Sequence, residues 1–142
     1  ILQTGTNKFI MNLESEKVEI NASSKSALDF IAIPSNIELL LPIDKISDFK
    51  SNENSCSFKV QGGITISLVL NGREGDEKLF LKSGEKSPFP FELTIHAKDI
   101  EDKSIGYIEF NGEVNAFLKM MVEKPLAALF NYMSKKLSEH FS

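Results

Sequence analysis

The sequence predicts an α+β domain: a curved antiparallel sheet of about seven strands wrapped around one long C-terminal helix, with two short helices after the first strand. Two observations lead there. Residues 115–141 repeat apolar side chains at helical spacing, and the segments before them alternate apolar and polar residues between turn signals. A sheet with one apolar face must cover it, and a single long helix is the element available to do so. Wrapping of that kind can leave an apolar cavity between sheet and helix.

The chain has 142 residues, enough for one domain with a core, expected to span 1–142 with 1–8 flexible. Hydrophobic residues make up 42% and charged residues 25%, and the net charge is -4. No basic stripe is present and Arg73 is the only arginine, which argues against a nucleic-acid partner. Cys56 is the only cysteine. It can form no internal disulfide, so a reducing, cytoplasmic location is expected. No apolar run reaches the length of a membrane span, and residues 1–9 do not read as a signal peptide. Residues 1–6 receive no weight, because the chain does not begin with Met.

The first strand carries Phe9, Met11 and Leu13, then Val18, Ile20 and Ala22 on the opposite parity. One extra residue reverses the buried face, so a bulge is expected near Ser15. Ser23 and Ser24 suit the start of a short helix bearing Leu28, Phe30 and Ile31, which Pro34 ends. A second short helix is expected over 35–41, stopping before Pro42. Residues 43–50 form a weakly patterned strand. Cys56, Phe58 and Val60 alternate before Gly62-Gly63, and Ile64, Ile66, Leu68 and Leu70 alternate before the turn signal Asn71-Gly72. Residues 78–82 make a short strand. Pro88 and Pro90 precede a strand with Phe91, Leu93, Ile95 and Ala97 on one face, residues 98–103 a polar turn, and 104–113 a last strand with Ile108 and Phe110 inward.

In the terminal helix, Asn115 is a good N-cap. Leu118, Met121, Val122, Pro125, Leu126, Leu129, Phe130, Met133, Leu137 and Phe141 form one wide apolar face, with Lys119, Glu123, Asn131, Lys135 and Glu139 on the wet side. At about 1.5 Å per residue the helix is roughly 40 Å long. Pro125 removes one helical hydrogen bond and favours a kink. The bend either fits the helix to a curved sheet or shapes a cavity mouth, or it is a tolerated break without a role.

This order of elements resembles the START-like (SRPBCC, helix-grip) superfamily of lipid-transfer domains, polyketide cyclases and the birch-pollen allergen family. Glu14-Ser15-Glu16-Lys17-Val18-Glu19-Ile20-Asn21-Ala22-Ser23 looks like its first strand running into its first helix. Asn115-Ala116-Phe117-Leu118-Lys119-Met120-Met121-Val122-Glu123-Lys124-Pro125-Leu126 looks like the start of the last helix in small bacterial members. The resemblance spans about residues 9–141. It implies a helix-grip fold and an apolar or amphipathic, lipid-like or polyketide-like ligand. Gln61-Gly62-Gly63 is only a tight turn, unlike the allergen family's glycine-rich loop.

Little in the chain reads as chemistry. His96 alternates with Ile95 and Ala97, so it faces outward as a surface residue with no base partner suggested. His140 reads as a solvated cap, and Asp99, Glu101 and Asp102 as a solvated hairpin lacking calcium-loop spacing. Cys56 shares parity with Phe58 and Val60, a buried small hydrophobe. Nucleotide-binding and nucleophile-elbow motifs do not occur; Asn71-Gly72-Arg73-Glu74-Gly75 sits in a hairpin, not before a helix. No catalytic residue, metal site or cofactor is expected. An enzyme would need Tyr107 or Tyr132 as a polar handle, which requires the inward parity to shift by one.

Phe58, Ile66, Leu68, Phe91, Leu93, Ile95, Ile108, Phe110, Met121, Pro125, Leu129 and Met133 are expected between sheet and helix, as core or as ligand-binding surface. An empty cavity of about 300 Å³ would cost on the order of 7 kcal/mol, comparable to a domain's whole stability of about 5–15 kcal/mol. The interior is therefore filled by its own side chains or by a ligand. The first gives an interaction or chaperone-regulating module, the second a binding protein for an apolar small molecule.

Overall fold

The computed structural model describes residues 8–61 and 63–142. Residues 1–7, within the segment expected to be flexible, and Gly62 lie outside the described residues. Strands β1 (Phe9–Glu14) and β2 (Val18–Ile20) lead into α1 (Ser24–Ile31) and two 3-10 helices, Pro34–Leu40 and Ile43–Lys45. Then come β3 (Ile46–Ser51), β4 (Ser55–Val60), β5 (Ile64–Glu74), β6 (Lys78–Ser83), β7 (Phe91–Ile100), β8 (Lys103–Val114) and α2 (Ala116–His140). Among the described residues these eight strands form one sheet, ordered β1-β8-β7-β6-β5-β4-β3, with β2 also paired to β8. Every pairing is antiparallel. No helix among the described residues is long and apolar enough to cross a membrane.

The first strand divides in two, which raises the strand number from about seven to eight. The interruption falls where the parity reverses, at Ser15. The Ser15 N–H donates to the Ile108 carbonyl at 2.8 Å, and the Ile108 N–H donates to Ser15 Oγ at 2.8 Å. The side chain replaces a backbone acceptor, so β8 keeps its hydrogen bonds across the break. Gly106 permits the next step. A Cβ there would lie 2.8 Å from Ile20 Cδ1 and 3.1 Å from the His96 carbonyl oxygen, so glycine lets β2 seat its isoleucine on β8 without a shift.

Both α1 and the following 3-10 helix occupy the places expected of two short helices. Ser23 caps α1 by accepting from the Ser26 N–H at 3.1 Å, and Asp99 Oδ1 accepts from the Ser24 N–H at 2.7 Å. Asp99 thus serves a helix end rather than a solvated turn. Its strand β7 continues to Ile100, and the hairpin narrows to Glu101-Asp102 instead of 98–103.

Asn71-Gly72 does not end β5. The strand slips register between Leu70 and Arg73, with Gly72 at φ +98°, and the chain turns only after Glu74. Arg73 supplies the reason. Its guanidinium donates to Asp29 on α1 at 2.7 Å, to Asp76 at 3.2 Å and to the Gly75 carbonyl at 3.0 Å. The bond to Asp29 is the tertiary one, and with the two local bonds it holds the strand past the turn signal.

The core lies between the sheet and the helices. α2 packs on β8, β1, β2 and the first 3-10 helix, while that 3-10 helix is the element that meets β3 and β4. Asn115 Oδ1 accepts from the Leu118 N–H at 2.8 Å, the expected N-cap. The helix continues through Pro125. At its far end His140 stacks on Phe30 of α1 at 4.1 Å, so it is more than a solvated cap. At the centre, the Phe110 ring lies 4.9 Å from Phe91 and 5.1 Å from Phe130, with Phe89 edge-on to both Phe91 and Phe110. Cys56 is buried on β4, and burial pushes its thiol up to about 12.

Phe110→Ala should destabilise the protein by about 3–5 kcal/mol in urea unfolding, because it empties the fully buried centre. Ser15→Ala should cost about 1–3 kcal/mol by stranding the Ile108 N–H. It should also speed hydrogen exchange at that amide.

Candidate functional site

The buried stripe of α2 runs through Val122, Leu126, Leu129, Phe130, Met133 and Leu137. At 3.6 residues per turn, Met121, Pro125, Ala128 and Tyr132 fall along one flank of that stripe. The flank borders the part of the sheet that α2 does not cover. There an open pocket of about 500 Å³ lies between α2 and the strands β3 and β4. Pro42, Ile46, Val60, Pro125, Ala128 and Leu129 give it an apolar lining, and Asp44, Lys45, Gln61 and Tyr132 bring polar groups. A smaller pocket lined by Val60, Gln61, Ile64, Met121, Val122 and Pro125 continues it towards the helix N-terminus. The two share Val60, Gln61 and Pro125, so they form one groove along the helix flank.

Local sequence explains the walls. Pro42 holds the chain out of helix between the two 3-10 segments. The Gln61 N–H donates to the Lys45 carbonyl at 2.9 Å, tying the end of β4 to the start of β3. Pro125 offers no N–H to the Met121 carbonyl, and it stands exposed on the groove side of the helix.

The residues expected between sheet and helix fall into two groups. Phe58, Ile66, Leu68, Phe91, Leu93, Ile95, Ile108, Phe110, Leu129 and Met133 are all 4% exposed or less. Such side chains are shut off from solvent and belong to the core, and of these ten Leu129 also lines the groove. Met121 and Pro125 stand at the edge of the layer, where the helix flank faces β3 and β4 across the groove. Met121 is 46% exposed and both sit on the helix flank. The apolar face of α2 is wider than its contact stripe, so periodicity could not separate flank from centre. Tyr132, considered only as a fallback, lines the groove. Its spacing from Pro125 and Met121, at steps of seven and eleven, was a legible signal. Asp44, Lys45 and Gln61 were missed, since nothing local marks them.

On the outward face of the sheet His96 does have a partner. Its Nε2 lies 2.7 Å from Glu109 Oε1, and that hydrogen bond holds the Glu109 carboxyl below its ordinary range, with help from Asn111. One residue separates Glu109 from Tyr107 on the same parity, but only cross-strand register brings it to His96. Tyr107 also faces outward, stacked on His96 at 4.4 Å. Burial and the carboxylates of Glu14 and Glu109 raise the pKa of its phenol. Among the described residues no three His, Cys, Asp or Glu side chains come together as a metal site.

No family model matches the sequence, and no curated protein matches it. Solved structures do. The KanY protein, a solution structure, is 14% identical with a TM-score of 0.74 over 94% of this chain and 98% of its own. A norcoclaurine synthase of Thalictrum flavum is 15% identical with a TM-score of 0.67, covering 96% and 99%. A START superfamily protein of Mycobacterium smegmatis is 12% identical with a TM-score of 0.63, covering 93% and 96%. At these identities the likeness is one of architecture, and it extends over nearly the whole length of each chain. The eight-stranded antiparallel sheet and its long C-terminal helix are therefore the START-like, helix-grip fold.

Proposed function

We propose that the protein binds a small apolar or amphipathic molecule in the groove between α2 and the β3–β4 edge of the sheet. The observation that carries this reading is the groove itself. Its volume of about 500 Å³ suits a small-molecule site, and apolar walls with a few polar groups at one side suit a ligand with both characters. Hydrocarbon laid against Val60, Pro125 and Leu129 would contribute roughly 25 cal/mol per Å² buried. Asp44, Lys45, Gln61 and Tyr132 would meet a polar end. The norcoclaurine synthase that shares this fold was solved in complex with a transition state analogue. That supports a ligand role for the fold without importing its chemistry, since no acid–base pair lines the groove here beyond Asp44 and Lys45.

The alternative, an interaction module without a ligand, draws support from exposed apolar side chains beside the groove. Ile43 is 92% exposed, Met120 79% and Phe117 65%. On that reading Met120→Glu abolishes capture of a specific, mass-identified partner from host extract, and filling the groove does not.

Ala128→Trp tests the groove. The position is exposed, so stability should change by no more than about 0.5 kcal/mol. Affinity for a neutral fluorescent monoacylglycerol should fall at least tenfold, read by fluorescence titration beside native mass spectrometry of the purified protein. Unchanged affinity in a folded variant, or no saturable binding to the wild type, would overturn the proposal.

A further inference from the structure

A second pocket, of about 310 Å³, lies on the sheet face opposite the core. Antiparallel register sets Lys78 of β6, His96 of β7 and Tyr107 of β8 side by side in one row across three strands. The His96 and Tyr107 rings stack within 7° of parallel, and Lys17 Nζ lies 5.3 Å from the Tyr107 centroid. Glu109 holds the imidazole from the next row at 2.7 Å, so the aromatic wall is braced and not free to swing. Ile100 and Ile105 extend the apolar surface below it.

The charge around this wall is unlike the rest of the chain. The protein carries a net charge of -4, yet Lys17, Lys78 and Lys98 line the pocket with Glu77 as the one carboxylate among its lining residues, while Glu14 and Glu109 act on the Tyr107 ring from beside it. Among the described residues none of these three lysines has a carboxylate within 4.0 Å. Lys78 acts on the Glu109 carboxyl only from a distance. Three ammonium groups around a stacked aromatic wall and two isoleucines ask for a ligand with a flat apolar body and one negative charge.

We propose that this outward pocket binds a small planar aromatic carboxylate. The ring lies against Ile100, Ile105 and the braced His96–Tyr107 pair, and the carboxylate meets the lysines. Ammonium groups are compact charges with little directional demand. The pocket therefore selects for a flat anion and is tolerant of how its carboxylate is turned. The site is separate from the groove beside α2 and shares no lining residue with it.

The test is a titration of the full chain with 1-naphthoate, followed by amide NMR, beside the neutral isostere 1-naphthamide. Naphthoate should shift the amides of His96, Ile105 and Tyr107 saturably, and binding should weaken as salt is raised. Naphthamide should bind at least tenfold more weakly. Replacing Lys17, Lys78 and Lys98 together by alanine should weaken naphthoate binding at least tenfold with the amide spectrum otherwise intact, whereas Ala128→Trp should leave it unchanged. Shifts confined to Val60, Ala128 and Tyr132 would move the ligand to the groove and overturn the proposal. So would equal binding of naphthamide, insensitivity of the wild type to salt, or no saturable shift at all.

Discussion

Phe110 has no exposed surface, and its ring stands about 5 Å from both Phe91 on the neighbouring strand and Phe130 on α2. The last three elements of the chain, β7, β8 and α2, meet at this side chain, and the rest of the structure follows from that meeting. Once Phe130 is held against Phe110, α2 lies over β8, β1 and β2. It then cannot also lie over β3 and β4 at the far edge of a wide sheet. The first 3-10 helix fills part of that gap, and the groove is what stays open.

The placement of the groove changes the energetics of the interior. An enclosed apolar void of a few hundred Å³ would have to be offset by a large share of the folding free energy. Here the phenylalanines and aliphatic residues of the middle of the layer are buried against one another. The open volume stands at the side, where solvent occupies it when a ligand does not. A ligand there would gain by displacing water from Val60, Pro125 and Leu129, and the protein would be stable without it. Pro125 fits this arrangement: it sits on the flank, where a missing N–H disturbs the groove wall and leaves the buried stripe of Val122, Leu126, Phe130 and Met133 in place.

The two faces of the sheet are built by different means. Inward, bulk and apolar contact suffice, and Gly106 supplies the one close approach that β2 needs. Outward, polar and apolar side chains are mixed and the arrangement depends on pairing across strands. His96 with Glu109, Tyr107 with His96, and Lys17 over Tyr107 are all contacts between residues that no local pattern associates. The first two follow from the β7–β8 register, which sets His96 opposite Tyr107 and Thr94 opposite Glu109, and the third from the β2–β8 pairing, which sets Val18, the neighbour of Lys17, opposite Gly106.

Alternation along β4, β5, β7 and β8 already assigned the inward side chains, because a strand's two faces are a local property of its pleat. The same is true of the caps: Asn115 and Ser23 act on backbone groups three residues away. The parity change at Ser15 was legible for that reason too, although its hydrogen bonds to Ile108 were not. What the chain pattern left open needed a partner from elsewhere. The strand past Asn71-Gly72 continues because Arg73 reaches Asp29, forty-four residues away. The rotation of α2, and with it the position of Met121, Pro125 and Tyr132, follows from which part of a broad apolar face Phe110 engages. Periodicity reports that a helix has an apolar side; only the opposing surface selects the strip of that side that becomes core and the strip that becomes the wall of a groove.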